Sequence, residues 1–185
     1  GTINVWFVPV LAGLCGESSF TFSQHQGIMM ANDCTATASD RATFSHEVGH
    51  YFNLFHTFET AIGVECVDGS NCEDAGDQVC DTPADFGRTC NNGNTAVDGQ
   101  CNLTCTDQDP CGSGQPYDPP IRNLMCYTTQ RCTDHFSPDQ LARARSVAIE
   151  ERQDHIVDGN VNEPGACCLN GQCIEVEAAG LCFPL

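Results

Sequence analysis

The stretch His46-Glu47-Val48-Gly49-His50-Tyr51-Phe52-Asn53-Leu54-Phe55-His56 sets three imidazoles and one carboxylate at intervals suited to metal-assisted hydrolysis. At 3.6 residues per turn, His46 and His50 leave a helix on the same face, so both rings can reach one tetrahedral zinc ion. Glu47 stands beside the first ligand and outside the three-histidine set, placed to act as a base towards a water on the metal. His56 follows six residues after His50. On a continued helix it would point away from the metal, so the chain must leave the helix between them. Asn53 marks that turn, since after Gly an Asn is among the residues best able to adopt a left-handed conformation at a helix end.

This stretch resembles the long zinc-binding motif of the metzincin clan of metallopeptidases, where Gly is usual at the position of Asn53. The clan's downstream turn, with a Met beneath the metal, is matched by Asn123-Leu124-Met125-Cys126-Tyr127. The resemblance implies that Met125 floors the histidines. It also gives Tyr127 a phenol that binds the zinc at rest or hydrogen-bonds the reacting carbonyl. Within the clan, His56-Thr57-Phe58, the segment Asp77-Gln78-Val79-Cys80-Asp81-Thr82-Pro83 and the segment Phe136-Ser137-Pro138-Asp139-Gln140-Leu141-Ala142-Arg143 are similar to the pappalysin family. The likeness runs from Gly1 to about His155.

The likeness implies an α+β fold: a mixed twisted sheet, the active-site helix above the cleft, and a loop-rich, disulfide-stapled lower part with a C-terminal helix. Zn²⁺ and Ca²⁺ are the implied cofactors. The calcium would take hard oxygen donors from Asp77, the Val79 carbonyl, Asp81 and Thr82; the same residues also read as an acidic surface turn closed by Pro83. Protein or peptide substrate would lie extended along the strand before the active helix, at Met29, Met30 and Ala31. An acidic pocket past the Met-turn would fall to Asp134, with Arg131 as a competitor. By the same likeness Cys132 pairs with Cys101 or Cys105, and Cys111 with Cys66 or Cys72.

The elements that must position these residues have their own signals. Ile3–Val10 reads as a buried strand, and Gly27–Asn32 as a second strand just before the active helix. That helix runs from Asp40, a plausible N-cap, to Phe52. Ser137, Pro138 and Gln140 form a helix start, and Leu141, Ala144, Val147 and Ala148 make one apolar stripe towards His155. The expected catalytic domain is residues 1–157, divided at 56/57, with upstream strands of the family lacking. Residues 158–185 form a linker and a short Cys-rich extension, resembling a repeat attached to many secreted bacterial proteins.

Twenty-five acidic residues face seven arginines and no lysine, a net charge of −18. Such a surface repels nucleic acid and anionic membranes. No run of about 20 apolar residues is present to span a bilayer. Fifteen cysteines, without paired CxxC motifs at zinc-ribbon spacing, read as disulfides of a secreted protein. Their odd number leaves one thiol free, paired outside the chain, or without its partner. His25, His135 and His155 read as surface or packing residues, and nothing fixes an oligomeric state. The expected activity is zinc-dependent endopeptidase, with Glu47 as general base. An inactive protein-binding relative and a calcium- and disulfide-stabilised adhesive module are the alternatives.

Overall fold

The computed structural model describes residues 2–35, 42–87, 96–105, 107–129 and 131–153, and the backbone of 165–169 and 172–176. Three short strands, β1 (Val5–Val8), β2 (Gly16–Ser18) and β3 (Ile28–Ala31), form a mixed sheet in the order β1-β3-β2. β1 runs parallel to β3 with Val5 opposite Ile28, and β2 runs antiparallel with Gly16 opposite Met30. A single 3-10 turn at Asn32–Cys34 follows, tied back to the start of β2 by the Cys15–Cys34 disulfide. Helix α1 (Thr43–Tyr51) lies against the sheet, and α2 (Pro138–Glu150) closes the core. β4 (Gly165–Leu169) and β5 (Gln172–Val176) pair antiparallel as a two-stranded sheet of their own. The fold is α+β, as the sequence leads one to expect.

One core joins the layers: Ile28 and Met30 from β3, Tyr51 and Phe52 from the end of α1, and Ala144, Val147 and Ala148 from α2. The α2 stripe is that read from its 3.6-residue period. Its cap is the expected box: Ser137 Oγ accepts from the Gln140 amide at 3.1 Å, and Gln140 Oε1 accepts from the Ser137 amide at 2.9 Å. The helix stops at Glu150, short of His155, which lies outside the described residues. Asp40 also lies outside them; the cap position of α1 is Ala42, which makes no side-chain cap bond.

Two strand expectations are corrected. β1 is not buried: Trp6 and Phe7 are 50% and 60% exposed, because only Val5 and the neighbouring Ile3 pack on the core. β3 is the inner strand, bonded on both sides, so it offers no free edge to peptide. Met30 is fully buried, Ala31 nearly so, and Met29 pairs between Trp6 and Glu17. Apolar content identified the strand, but sheet order is not encoded in it.

Past His56 the chain has little apolar core and is held by cross-links: Cys66–Cys111, Cys72–Cys80 and Cys101–Cys132. Each removes loop entropy from the unfolded chain. Both two-way pairing choices are thereby resolved, to Cys101 and to Cys66. Among the described residues Cys126 is the free thiol, and it is buried.

Arg152 locks the end of α2 onto α1. Its guanidinium donates to the Tyr51 carbonyl at 2.7 Å, to Gln26 Oε1 at 2.7 Å and to the Ser19 carbonyl at 3.2 Å, and it lies 3.5 Å from the Tyr51 ring centroid. Arg152→Met is expected to destabilise the fold by about 3 kcal/mol, since it removes charged donors from buried carbonyls. A urea midpoint unchanged in Arg152→Met would contradict this.

Candidate metal centre and cleft

Helix α1 presents His46, Glu47 and His50 on one side, and the geometry after it delivers the third histidine. Asn53 has φ of 59°, the left-handed turn expected of it. Its side chain also does what Gly cannot: Oδ1 accepts from the Thr21 amide at 3.0 Å and Nδ2 donates to Thr21 Oγ1 at 2.7 Å. The turn that frees His56 from the helix thus also anchors the loop before β3.

The Nε2 atoms of the three histidines lie 3.1 Å (His46–His50), 3.2 Å (His46–His56) and 3.0 Å (His50–His56) apart. A tetrahedral zinc with bonds of about 2.0–2.1 Å requires ligand nitrogens about 3.3 Å apart, so the cluster fits that ion. His46 donates Nδ1–H to the Leu124 carbonyl at 2.6 Å, and His50 donates Nδ1–H to the Leu54 carbonyl at 2.8 Å. These bonds fix both tautomers and turn Nε2 inward as the free lone pair. Burial holds His46 below its usual pKa; burial and then the neighbouring rings push His50 to about 4 and His56 to about 3. Neutral imidazoles are the form that ligates a metal.

Glu47 is buried, and desolvation first, then Glu17, pushes its carboxyl up to about 7. The backbone of β2 passes directly over it. A Cβ added at Gly16 would sit 2.5 Å from Glu47 Cγ, which explains the glycine. The cleft beside the histidines is lined by Gly13, Leu14, Gly16, Thr43, Tyr127 and Thr133, among others. The strand along this cleft is therefore β2, not β3.

From the other side comes the turn at 123–127. Met125 is fully buried against α1, where a Cβ on Gly49 would meet its Sδ at 2.5 Å. Asn123 Oδ1 accepts from the Met125 amide at 2.8 Å while its Nδ2 donates to Gln140 Oε1 at 2.8 Å, coupling this turn to the α2 cap. The Tyr127 ring lies 4.5 Å from His56 and 5.7 Å from His46. Sequence reasoning missed two aromatic neighbours: Phe58 stacks on His56 at 4.7 Å, and Phe20 lies 5.4 Å from His50. The position of Phe58, two residues past a ligand, was the available signal; Phe20 had none.

The Asp77–Thr82 loop does not gather all four expected oxygens. The Thr82 hydroxyl lies 2.9 Å from Asp77 Oδ1 and 2.5 Å from the Val79 carbonyl oxygen. Asp81 instead turns both oxygens to α2, accepting from Ser137 Oγ at 2.5 Å and from the Asp139 amide at 2.9 Å. Negative charge is nevertheless concentrated here: burial pushes Asp77 up to about 6, and burial with Asp77 and Asp85 pushes Glu65 to about 7. Asp134 is corrected as well. It pairs with Arg122 at 2.7 Å and His135 at 2.6 Å on the surface, outside the cleft lining.

The family model of pregnancy-associated plasma protein-A, a peptidase family, matches residues 15–148. An extracellular metalloprotease of Verticillium alfalfae is 32% identical over 159 residues, 79% of this chain and 49% of its own length. Pappalysin-1 of Homo sapiens is 33% identical over 104 residues, 55% of this chain and 6% of that protein. In structure the chain resembles mature mirolysin of Tannerella forsythia in complex with a cleaved peptide, with a TM-score of 0.56 and 22% identity over 85% of this chain and 57% of that one. The chain spans about half the length of the fungal extracellular metalloproteases it matches.

Proposed function

The chain belongs to the pappalysin family of metallopeptidases, and from that premise we propose that it is a secreted zinc-dependent endopeptidase acting on proteins or peptides. The observation that carries this reading is the convergence of three neutral histidine nitrogens within 3.2 Å of one another beside a buried carboxylate. His46, His50 and His56 would hold the zinc, which when bound supplies the Lewis acidity that polarises a carbonyl and acidifies water.

Glu47 accepts the proton of the attacking water and delivers it to the leaving amine nitrogen. Its burial keeps bulk water from competing for that proton. Tyr127, exposed at the cleft edge beside His46 and His56, donates its phenol to the developing oxyanion. Substrate lies extended along β2, whose outer edge borders the cleft. Asp134, paired on the surface, takes no part in recognising substrate side chains.

Secretion is supported by the disulfides and by relatives named extracellular metalloproteases; no helix among the described residues is long and apolar enough to cross a membrane. Calcium would be held by Asp77, the Val79 carbonyl and Thr82, without the Asp81 carboxylate, and the clustering of the Glu65 and Asp77 carboxylates, offset only in part by Arg143, supports a cation there. The purified chain should contain one zinc per molecule and cut casein or gelatin in a chelator-sensitive way, with activity restored by zinc. Cleavage that survives removal of all zinc sinks the reading.

A further inference from the structure

Two of the three histidines are oriented by their own hydrogen bonds, at Nδ1 to Leu124 and Leu54. Among the described residues no such bond holds His56 Nδ1. Its two successors, in contrast, are gripped from one place. Thr57 is 1% exposed; its hydroxyl donates to Asp85 Oδ2 at 2.6 Å, and its amide donates to the Met125 carbonyl at 3.3 Å. Phe58, stacked on the His56 ring at 4.7 Å with 9° between planes, rests on the backbone of Gly87, where an added Cβ would lie 3.5 Å from its ring.

Asp85 is the common anchor of these contacts. One carboxylate oxygen takes the Thr57 hydroxyl, and the other takes the Gly87 amide at 2.8 Å. Cys126, the buried thiol in the turn that carries Met125, lies near the same carboxylate, and burial together with that negative charge keeps it protonated and inert as a nucleophile. A buried carboxylate that accepts from a distant hydroxyl and from its own turn is worth more than its pairwise bonds, because losing it strands both donors away from water.

We infer that Asp85 is a positioning residue for the metal centre: through Thr57 and Gly87 it sets the third ligand, His56, and through Thr57, whose amide donates to the Met125 carbonyl, it keeps the Met125 turn in register with it. This rests on the zinc-site reading of the three histidines. The structure assigns Asp85 the part that Leu124 and Leu54 play for the other two histidines, acting on the neighbours of the ligand instead of on the ligand itself.

The test is the zinc dissociation constant of the purified chain, measured by competition with a chromophoric chelator. Asp85→Asn is expected to raise it about 10- to 100-fold, the usual cost of losing an outer-shell partner. Thr57→Val should do the same, Thr57→Ser should restore near-native affinity, and the Asp85→Asn/Thr57→Val pair should be no weaker than the worse single variant. Asp68→Asn, which removes a carboxylate capping an exposed turn, should leave the constant unchanged. Native affinity in Asp85→Asn or Thr57→Val, additive losses in the pair, or Thr57→Ser as weak as Thr57→Val would each overturn the proposal. If Asp85→Asn does not fold, the two Thr57 variants decide it. A wild-type chain that binds no zinc would overturn both this and the reading it rests on.

Discussion

Glu47→Gln is expected to lower the rate of peptide hydrolysis by about 10³-fold or more, at the upper end of what a positioned proton-transfer group contributes, while leaving zinc bound. Gln has the shape of Glu and fits the same slot under Gly16, whose missing Cβ leaves room for it. It cannot take up a proton at neutral pH. The three Nε2 donors are untouched, so zinc stoichiometry and affinity stay as in the parent. This separation distinguishes loss of the base from loss of the site. Should Glu47→Gln retain activity within tenfold of the parent, with zinc content verified, the assigned role of Glu47 is wrong.

The second large effect is expected at His56. His56→Ala should weaken zinc binding by more than the 10- to 100-fold typical of an outer-shell change, and should abolish hydrolysis in parallel. Two ligands on one helix cannot by themselves define a tetrahedral site. The substitution also opens a space between Phe58 and Tyr127, whose rings stand 4.7 and 4.5 Å from the imidazole, so some destabilisation should accompany it. Near-UV circular dichroism separates the two effects. His135→Ala, which removes an exposed ring bonded to Asp134, should change neither quantity. Zinc bound by His56→Ala as tightly as by the parent would show that the convergence of three nitrogens is not a metal site.

The parts of this centre that were legible in the chain are those set by local geometry. The i, i+4 histidines need only a helix, and Asn53 needs only a residue that tolerates positive φ. The α2 start is legible for the same reason, since its box closes within four residues. Contacts between segments far apart in sequence were not. The Leu124 carbonyl under His46 is 78 residues away, and the Asp85 carboxylate under Thr57 is 28 away; neither residue type announces its partner. Asp81 and Asp134 have the composition of ligand and pocket residues, yet tertiary geometry gives them to the α2 cap and to Arg122. β3 reads as a strand before the active helix, but its place between two neighbours depends on pairing that an apolar pattern does not encode.

Gln140 carries a last consequence. Fully buried, its one carbonyl oxygen accepts both from the Ser137 amide that starts α2 and from Asn123, which in turn holds the Met125 amide. Helix ends ordinarily fray at little cost, independently of distant loops. Here the first turn of α2 cannot unwind without stranding the loop beneath the histidines, and that loop cannot shift without uncapping the helix. The two form one cooperative opening unit, so that the floor of the metal centre inherits the local stability of a helix instead of the mobility of a loop.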